Sequence, residues 1–194
     1  MSRPDRKTEI LDAALAVVGD RGLAGATHRA VDEAAGLPQG STSYYFPRKT
    51  GLIEAAATRL ADLIEDDCVE TRRRFAELIA DGKQADAIDF VAEDLLRYAE
   101  EFSDLVIAQV ELSLAATRDP ALAEAGRKLD AASRQPIEFF VKLLSGAPSP
   151  DQVDTCFGLL DGMLLQYVTG KGPKPTVDQI KSIFQSVAQK GVDA

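Results

Sequence analysis

An all-α fold is predicted for this 194-residue chain by three observations. Apolar residues recur at spacings of three and four along nearly every segment. No stretch alternates long enough to make a strand. The interruptions fall at Gly, Pro and Asp residues of the kind that start or stop helices. With 45% hydrophobic residues, the chain can bury one good core, or divide into a small head and a larger helical body.

The first helix is expected from about Pro4 to Val18, with Pro in a tolerated first-turn position and Ile10, Leu11, Ala14, Leu15 and Val18 on one face. Gly19, Gly22 and Gly25 loosen the chain after it. Thr27 can cap a second helix through Ala35, with Ala30, Val31 and Ala34 inward, and Gly36 can supply the left-handed residue that ends it. Pro38 restarts the backbone for a third helix to about Phe46. A fourth begins near Pro47 to Lys49, carries Leu52, Ile53, Ala56, Leu60, Leu63 and Ile64, and extends as far as Ala80 before Asp81 and Gly82. Gln84 to Ala99 and Ser103 to Thr117 follow, and Asp119 with Pro120 marks a sharp restart. Ala121 to Leu144 and Asp151 to Thr169 form a helical pair around a Ser-, Gly- and Pro-rich turn, and Thr176 to Gln189 is a short closing helix.

The second and third of these helices, joined by a Gly-containing turn, have the form of a helix-turn-helix, in which the second helix enters the major groove. Val31, Ala34, Ala35, Leu37 and Phe46 are expected inside, leaving His28, Arg29, Gln39, Ser41, Thr42, Tyr44 and Tyr45 on the wet surface. Adjacent tyrosines on a helix point about 100° apart, so one turns inward and the other outward. The same spacing also suits an ordinary three-helix core, or a dimeric protein-interaction module without specific DNA binding. Net charge is compatible with DNA: residues 1–50 carry +1, so the remainder carries −10 to give the chain's total of −9. Phosphate neutralisation is local, so an acidic body does not forbid a DNA-binding head.

On these residues the chain resembles the TetR family of bacterial repressors. That family's signature is a capping Thr, an I-A-x-x-A-G turn, a short recognition helix ending in aromatics with Phe, and a Lys opening the next helix. Here these are Thr27, then Val31-Asp32-Glu33-Ala34-Ala35-Gly36, then Gly40-Ser41-Thr42-Ser43-Tyr44-Tyr45-Phe46, and Lys49 followed by Leu52. The likeness covers about residues 5–55. It implies an N-terminal three-helix head over 1–48, a helical ligand-binding and dimerisation body over 49–194, and double-stranded DNA as partner. It further implies that Thr27, Tyr45 and Lys49 contact phosphates while Gln39, Ser41, Thr42 and Tyr44 face the groove. Asp32 departs from the pattern by replacing a small residue, and Pro38 replaces a Ser that caps the recognition helix. Ser43 and Arg48 stand where a Tyr and a helix-capping residue are usual. A lost cap costs about 1 kcal/mol, which a folded domain can absorb.

In the body, Leu122, Ala125, Leu129, Ala132, Pro136, Phe140 and Leu143 form one stripe, and Val153, Cys156, Phe157, Leu160, Met163, Leu164 and Tyr167 a second. Such stripes either fill the chain's own core or build a four-helix seam across a two-fold axis, with Gly158 and Gly162 permitting close approach. A single short recognition helix offers little contact area, and the resemblance places the dimer seam on the last long helices. Both favour a homodimer through Leu129, Phe140, Phe157, Leu160 and Tyr167. The resemblance also implies release by a small-molecule ligand in the middle helices. There Phe90, Asp94, Tyr98, Phe102, Val106, Gln109, Val110 and Ser113 mix apolar and polar character.

Other classes find little footing. No 18-residue apolar run and no signal-peptide pattern occur, which predicts a cytoplasmic protein. Cys68 and Cys156 have neither disulfide-framework nor metal-ligand spacing and read as small hydrophobes. The only histidine, His28, lies in the head, away from either cysteine, so no catalytic arrangement, metal or cofactor is expected.

Overall fold

A computed structural model describes residues 5–189, and within them helices carry the architecture. They are α1 (Arg6–Gly25), α2 (His28–Ala34), α3 (Ser41–Tyr45), α4 (Lys49–Ala80), α5 (Gln84–Glu101), α6 (Ser103–Ala116), α7 (Ala123–Ser145), α8 (Pro150–Val168) and α9 (Val177–Gln189), with a 3-10 turn at Pro120–Leu122. Pro4, the expected first helical residue, lies outside the described residues. Among the described residues no helix is long and apolar enough to cross a membrane.

The chain forms two compact units. Among the described residues, one comprises 5–64 with Asp104–Ala132, the other Glu65–Ser103 with 133–189. In the first unit, α1 buries Ile10, Ala14, Leu15, Val17 and Val18 and packs on α2, which packs on α3. Leu52, Ile53, Ala56 and Leu60 of α4 are buried in the same unit. The sequence pattern ends the first helix near Val18, with Gly19, Gly22 and Gly25 loosening the chain after it; instead α1 runs on to Gly25, and of the three only Gly22 leaves helical geometry, at φ 67° and ψ 175°. Gly19 serves close approach instead: a Cβ there would lie 2.5 Å from the Asp104 carbonyl oxygen at the start of α6.

The second unit is centred on aromatic rings. Phe140 of α7 lies 4.7 Å from Phe75 of α4 and 6.4 Å from Phe184 of α9, centroid to centroid. Val91, Cys156, Leu160 and Ile180 complete this core, and α9 packs on both α5 and α8. α8 starts one residue earlier than expected because Ser149 and Gln152 form a reciprocal capping box with Pro150 at the first helical position. Pro136 sits inside α7 and lacks the N–H that would bond the Ala132 carbonyl, where the two units divide the helix.

Candidate nucleic-acid interface

The head is assembled around α2. Thr27 has extended backbone geometry and its Oγ1 accepts from the Ala30 amide at 3.1 Å, so it caps α2 as its residue type predicts. Gly36 adopts φ 63°, and the Leu37 amide returns to the Asp32 carbonyl at 2.8 Å, closing the turn.

α3 is only five residues long and follows Gly40, whose φ is 94° and which has no side chain to cap with. The missing cap is supplied from α2. Asp32 is buried, and its Oδ2 accepts from the Gly40 amide at 2.7 Å. Its Oδ1 accepts from the Thr42 amide at 2.7 Å and from the Thr42 hydroxyl at 2.6 Å. The Ser41 amide bonds the Pro38 carbonyl at 3.1 Å. Three successive amides at the start of α3 are thus satisfied, with a carboxylate at the helix's positive end. Burial raises the Asp32 pKa, but the Thr42 hydroxyl and amide, the Gly40 amide and the nearby His28 together hold it below the ordinary value. The departures at Asp32 and Pro38 therefore answer one another: the cap lost before α3 reappears one helix earlier.

The other end of α3 is held by His28, whose Nε2 lies 2.6 Å from the Phe46 carbonyl oxygen. A carbonyl can only accept, so Nε2 carries the proton. His28 is thus engaged within the head rather than standing free on its surface. Thr42 corrects the sequence reading more sharply: expected to face the groove, it is fully buried because its hydroxyl and amide are spent on Asp32. Ala34, expected inside, is exposed, and Asp32 takes the buried place beside Val31. Gln39 is exposed, and Ser41, half-buried, donates its hydroxyl to the Pro38 carbonyl at 2.6 Å. Tyr44 is 81% exposed, while Tyr45 is half-buried with its ring edge-on to Tyr44 at 5.1 Å.

Lys49 is exposed at the start of α4, and its Nζ donates to the carbonyls of Leu23 at 2.7 Å and Ala24 at 3.4 Å. The Leu23 amide in turn donates to Oε2 of Glu111 in α6 at 3.3 Å. One peptide segment at the end of α1 therefore joins the lysine of the head to the middle of α6.

Phe90, Asp94, Tyr98 and Phe102 belong to the second unit, and Val106, Gln109, Val110 and Ser113 to the first. Asp94 accepts from the Thr71 hydroxyl at 2.7 Å and from Arg97 at 2.8 Å, and the Tyr98 and Phe102 rings lie 5.3 Å apart. Burial, reinforced by Asp67 and Cys68, raises the Tyr98 phenol. Burial also raises Asp67, against the opposing charge of Arg97. The Cys68 thiol is pushed up to about 11 and that of Cys156 to about 12, both chiefly by burial, so neither is a ready thiolate. Ser113 donates to Asp130 at 2.8 Å.

The expected dimer residues divide by their exposure within one chain. Leu129, Phe140 and Leu160 are at most 2% exposed within one chain, because their stripes fill the chain's own core. Phe157 and Tyr167 are half-buried. The apolar residue that α8 turns outward is Leu159, 51% exposed beside Gly158 and Gly162. Those three border a groove of about 380 Å³ closed by Pro173, Pro175 and Gln179.

A short helix presented by a capped helix and a tight glycine turn has the geometry of a helix-turn-helix, the DNA-reading unit of a class of transcriptional regulators. The comparisons make the class specific. Residues 10–56 match the family described as bacterial regulatory proteins, tetR family, and residues 82–189 match the Tetracyclin repressor-like C-terminal domain. The chain belongs to the TetR family. It is 34% identical over 118 residues to the HTH-type transcriptional regulator CymR of Pseudomonas putida, covering 60% of this chain and 53% of that protein. A BetI regulator of Paraburkholderia phytofirmans is 38% identical over 76 residues, 39% of this chain and 38% of that one. The chain thus spans about half or less of the curated relatives' length. Among solved structures, the multidrug binding protein EbrR complexed with ethidium has 26% identity and a TM-score of 0.64, covering 96% of this chain and 99% of that one. A TetR-family member from Streptomyces coelicolor A3 has 28% identity and a TM-score of 0.62, covering 95% and 98%.

Proposed function

We propose that this regulator is a homodimeric repressor that reads a two-fold-symmetric operator with α3 and is released by a small ligand. The observation that carries the reading is α3 itself: its amides are satisfied from within, while Tyr44 projects with 81% of its surface free. Gln39, Ser41 and Tyr44 are the groove-facing candidates, with Thr27, Tyr45 and Lys49 toward phosphates. Two heads are needed because one five-residue helix cannot bury the area of a specific complex. Outward-facing Leu159, with Gly158 and Gly162, supports a seam along α8.

Ligand control is supported by the link from Glu111 through the Leu23 peptide to Lys49, which gives α6 a route to the head. EbrR has been solved with ethidium, proflavin and malachite green, which are aromatic cations. In the second unit of this chain, Phe90, Asp94 and Tyr98 recur every fourth residue along α5 and so share a face, with Phe102 against Tyr98, a mix of rings and carboxylate that suits such chemistry if a ligand displaces Arg97 from Asp94. A ligand releases DNA only if it binds the two head arrangements with different affinity. The test is DNA binding to the upstream region of this protein's own gene, with salt titration and then a panel beginning with aromatic cations. Salt-sensitive binding reversed by one compound supports the proposal. An absence of binding at low salt overturns it.

A further inference from the structure

We propose that His28 and Asp32 form a two-point clamp that sets the orientation of α3, making them positioning residues for operator discrimination although neither faces the groove. The inference rests on α3 being the reading helix.

Five residues are far below the length at which a helix holds itself in water. The one fully buried side chain of α3 is Thr42, a polar residue, while Tyr45 and the following Phe46 are half-buried, so the deepest contact of α3 is a polar one. Apolar contact is also non-directional, whereas hydrogen bonds fix angles. His28 and Asp32 are four apart on α2 and therefore share one face of it. Asp32 takes the Gly40 and Thr42 amides at the start of α3, and His28 holds the Phe46 carbonyl just past its end. These bonds fix tilt. Rotation about the α3 axis is fixed by the Thr42 hydroxyl on Asp32 Oδ1. With about 100° per residue, a Thr42 turned onto α2 puts Tyr44 on nearly the opposite side, which is where the most exposed large side chain stands. Thr42 thus decides which neighbours meet DNA while touching none itself.

The test is made on the full chain at fixed salt. An operator is selected from random DNA, and the ratio of its affinity to that of an unrelated duplex is measured. Thr42→Val keeps the shape and removes the hydroxyl bond, and it should lower the ratio about tenfold. His28→Ala should lower it as well, with His28→Gln, whose amide can donate to the carbonyl, recovering part. Asp32→Ala combined with Thr42→Val should be no worse than Asp32→Ala, since one bond cannot be lost twice. If Asp32→Ala does not fold, Thr42→Val and His28→Ala carry the test. Folded Thr42→Val and His28→Ala with the wild-type ratio overturn the clamp. The combined variant Gln39→Ala, Ser41→Ala and Tyr44→Ala separates the two readings: an unchanged ratio there shows that α3 and its approach are not the reader. A reduced ratio there, with the clamp variants unaffected, rejects the clamp alone.

Discussion

α3 and α7 are held in place by different physics. α3 buries one side chain and is gripped by bonds from two residues of α2. α7 packs Phe140 against both Phe75 and Phe184, in a cluster made of apolar side chains. An apolar core tolerates small rotations because its attraction is proportional to area. A polar clamp does not, because its bonds fail with angle. The head, where orientation carries information, uses the second means. The body, which must be stable, uses the first.

The contrast breaks first in stability. Phe140→Ala should destabilise the chain by about 3–5 kcal/mol, since it removes a ring and leaves a cavity beside two others. Denaturant unfolding measures this, and a loss below that of Thr42→Val would mean the aromatic cluster is not the centre of the body.

Asp32 comes next, and its effect is conditional on pH. Its pKa in the fold lies below the ordinary 3.8: burial raises it, but the bonds from Thr42 and Gly40 and the presence of His28 outweigh burial. A depressed folded value means the carboxylate's contribution is complete above the unfolded value. It is lost as pH falls through the folded one. Asp32→Asn should therefore cost about 1–3 kcal/mol near neutrality, with the difference from wild type shrinking as pH drops below about 4. A difference constant with pH would show that the charge does not matter there.

Lys49→Ala should have a smaller effect on folding, since it frees only the Leu23 and Ala24 carbonyls. It should lower the slope of log affinity against log salt by about one, the signature of one neutralised phosphate. An unchanged slope removes Lys49 from the DNA contacts.

How much of this was legible in the sequence follows from the same contrast. Helices announce themselves by apolar period, and Thr27 and Gly36 by residue type, so the head was readable as a shape. Asp32 was visible only as an irregularity, because a period of apolar residues has no place for a buried carboxylate. The available signal was the pairing of two departures, an acid gained in α2 and a capping Ser lost at Pro38. Thr42 followed Asp32 inward and so escaped as well. In the body, the stripes of Leu129, Phe140 and Leu160 are legible as apolar faces. Periodicity does not say whether a face meets its own chain or a second copy, and the packing of Phe140 against two rings answers that for its stripe.

Leu159 and Leu160 give the sharpest form of that last distinction. They are adjacent on α8, yet one is 51% exposed and the other 2%. Leu160→Asp should unfold the second unit by burying an unpaired charge. Leu159→Asp should change the stability of the single chain by no more than about 0.5 kcal/mol, as for any surface site. If α8 is the seam, Leu159→Asp should still divide the dimer, because the same surface would meet its own copy across the two-fold axis and set two carboxylates together. A Cβ at Gly158 or Gly162 meets no atom of the described residues within 4 Å beyond its own helical neighbours. Gly158→Leu should therefore act likewise, through bulk rather than charge. Sedimentation of both variants reads the outcome. Folded monomers from a dimeric wild type place the seam on this face, whereas intact dimers in both move it elsewhere on the body.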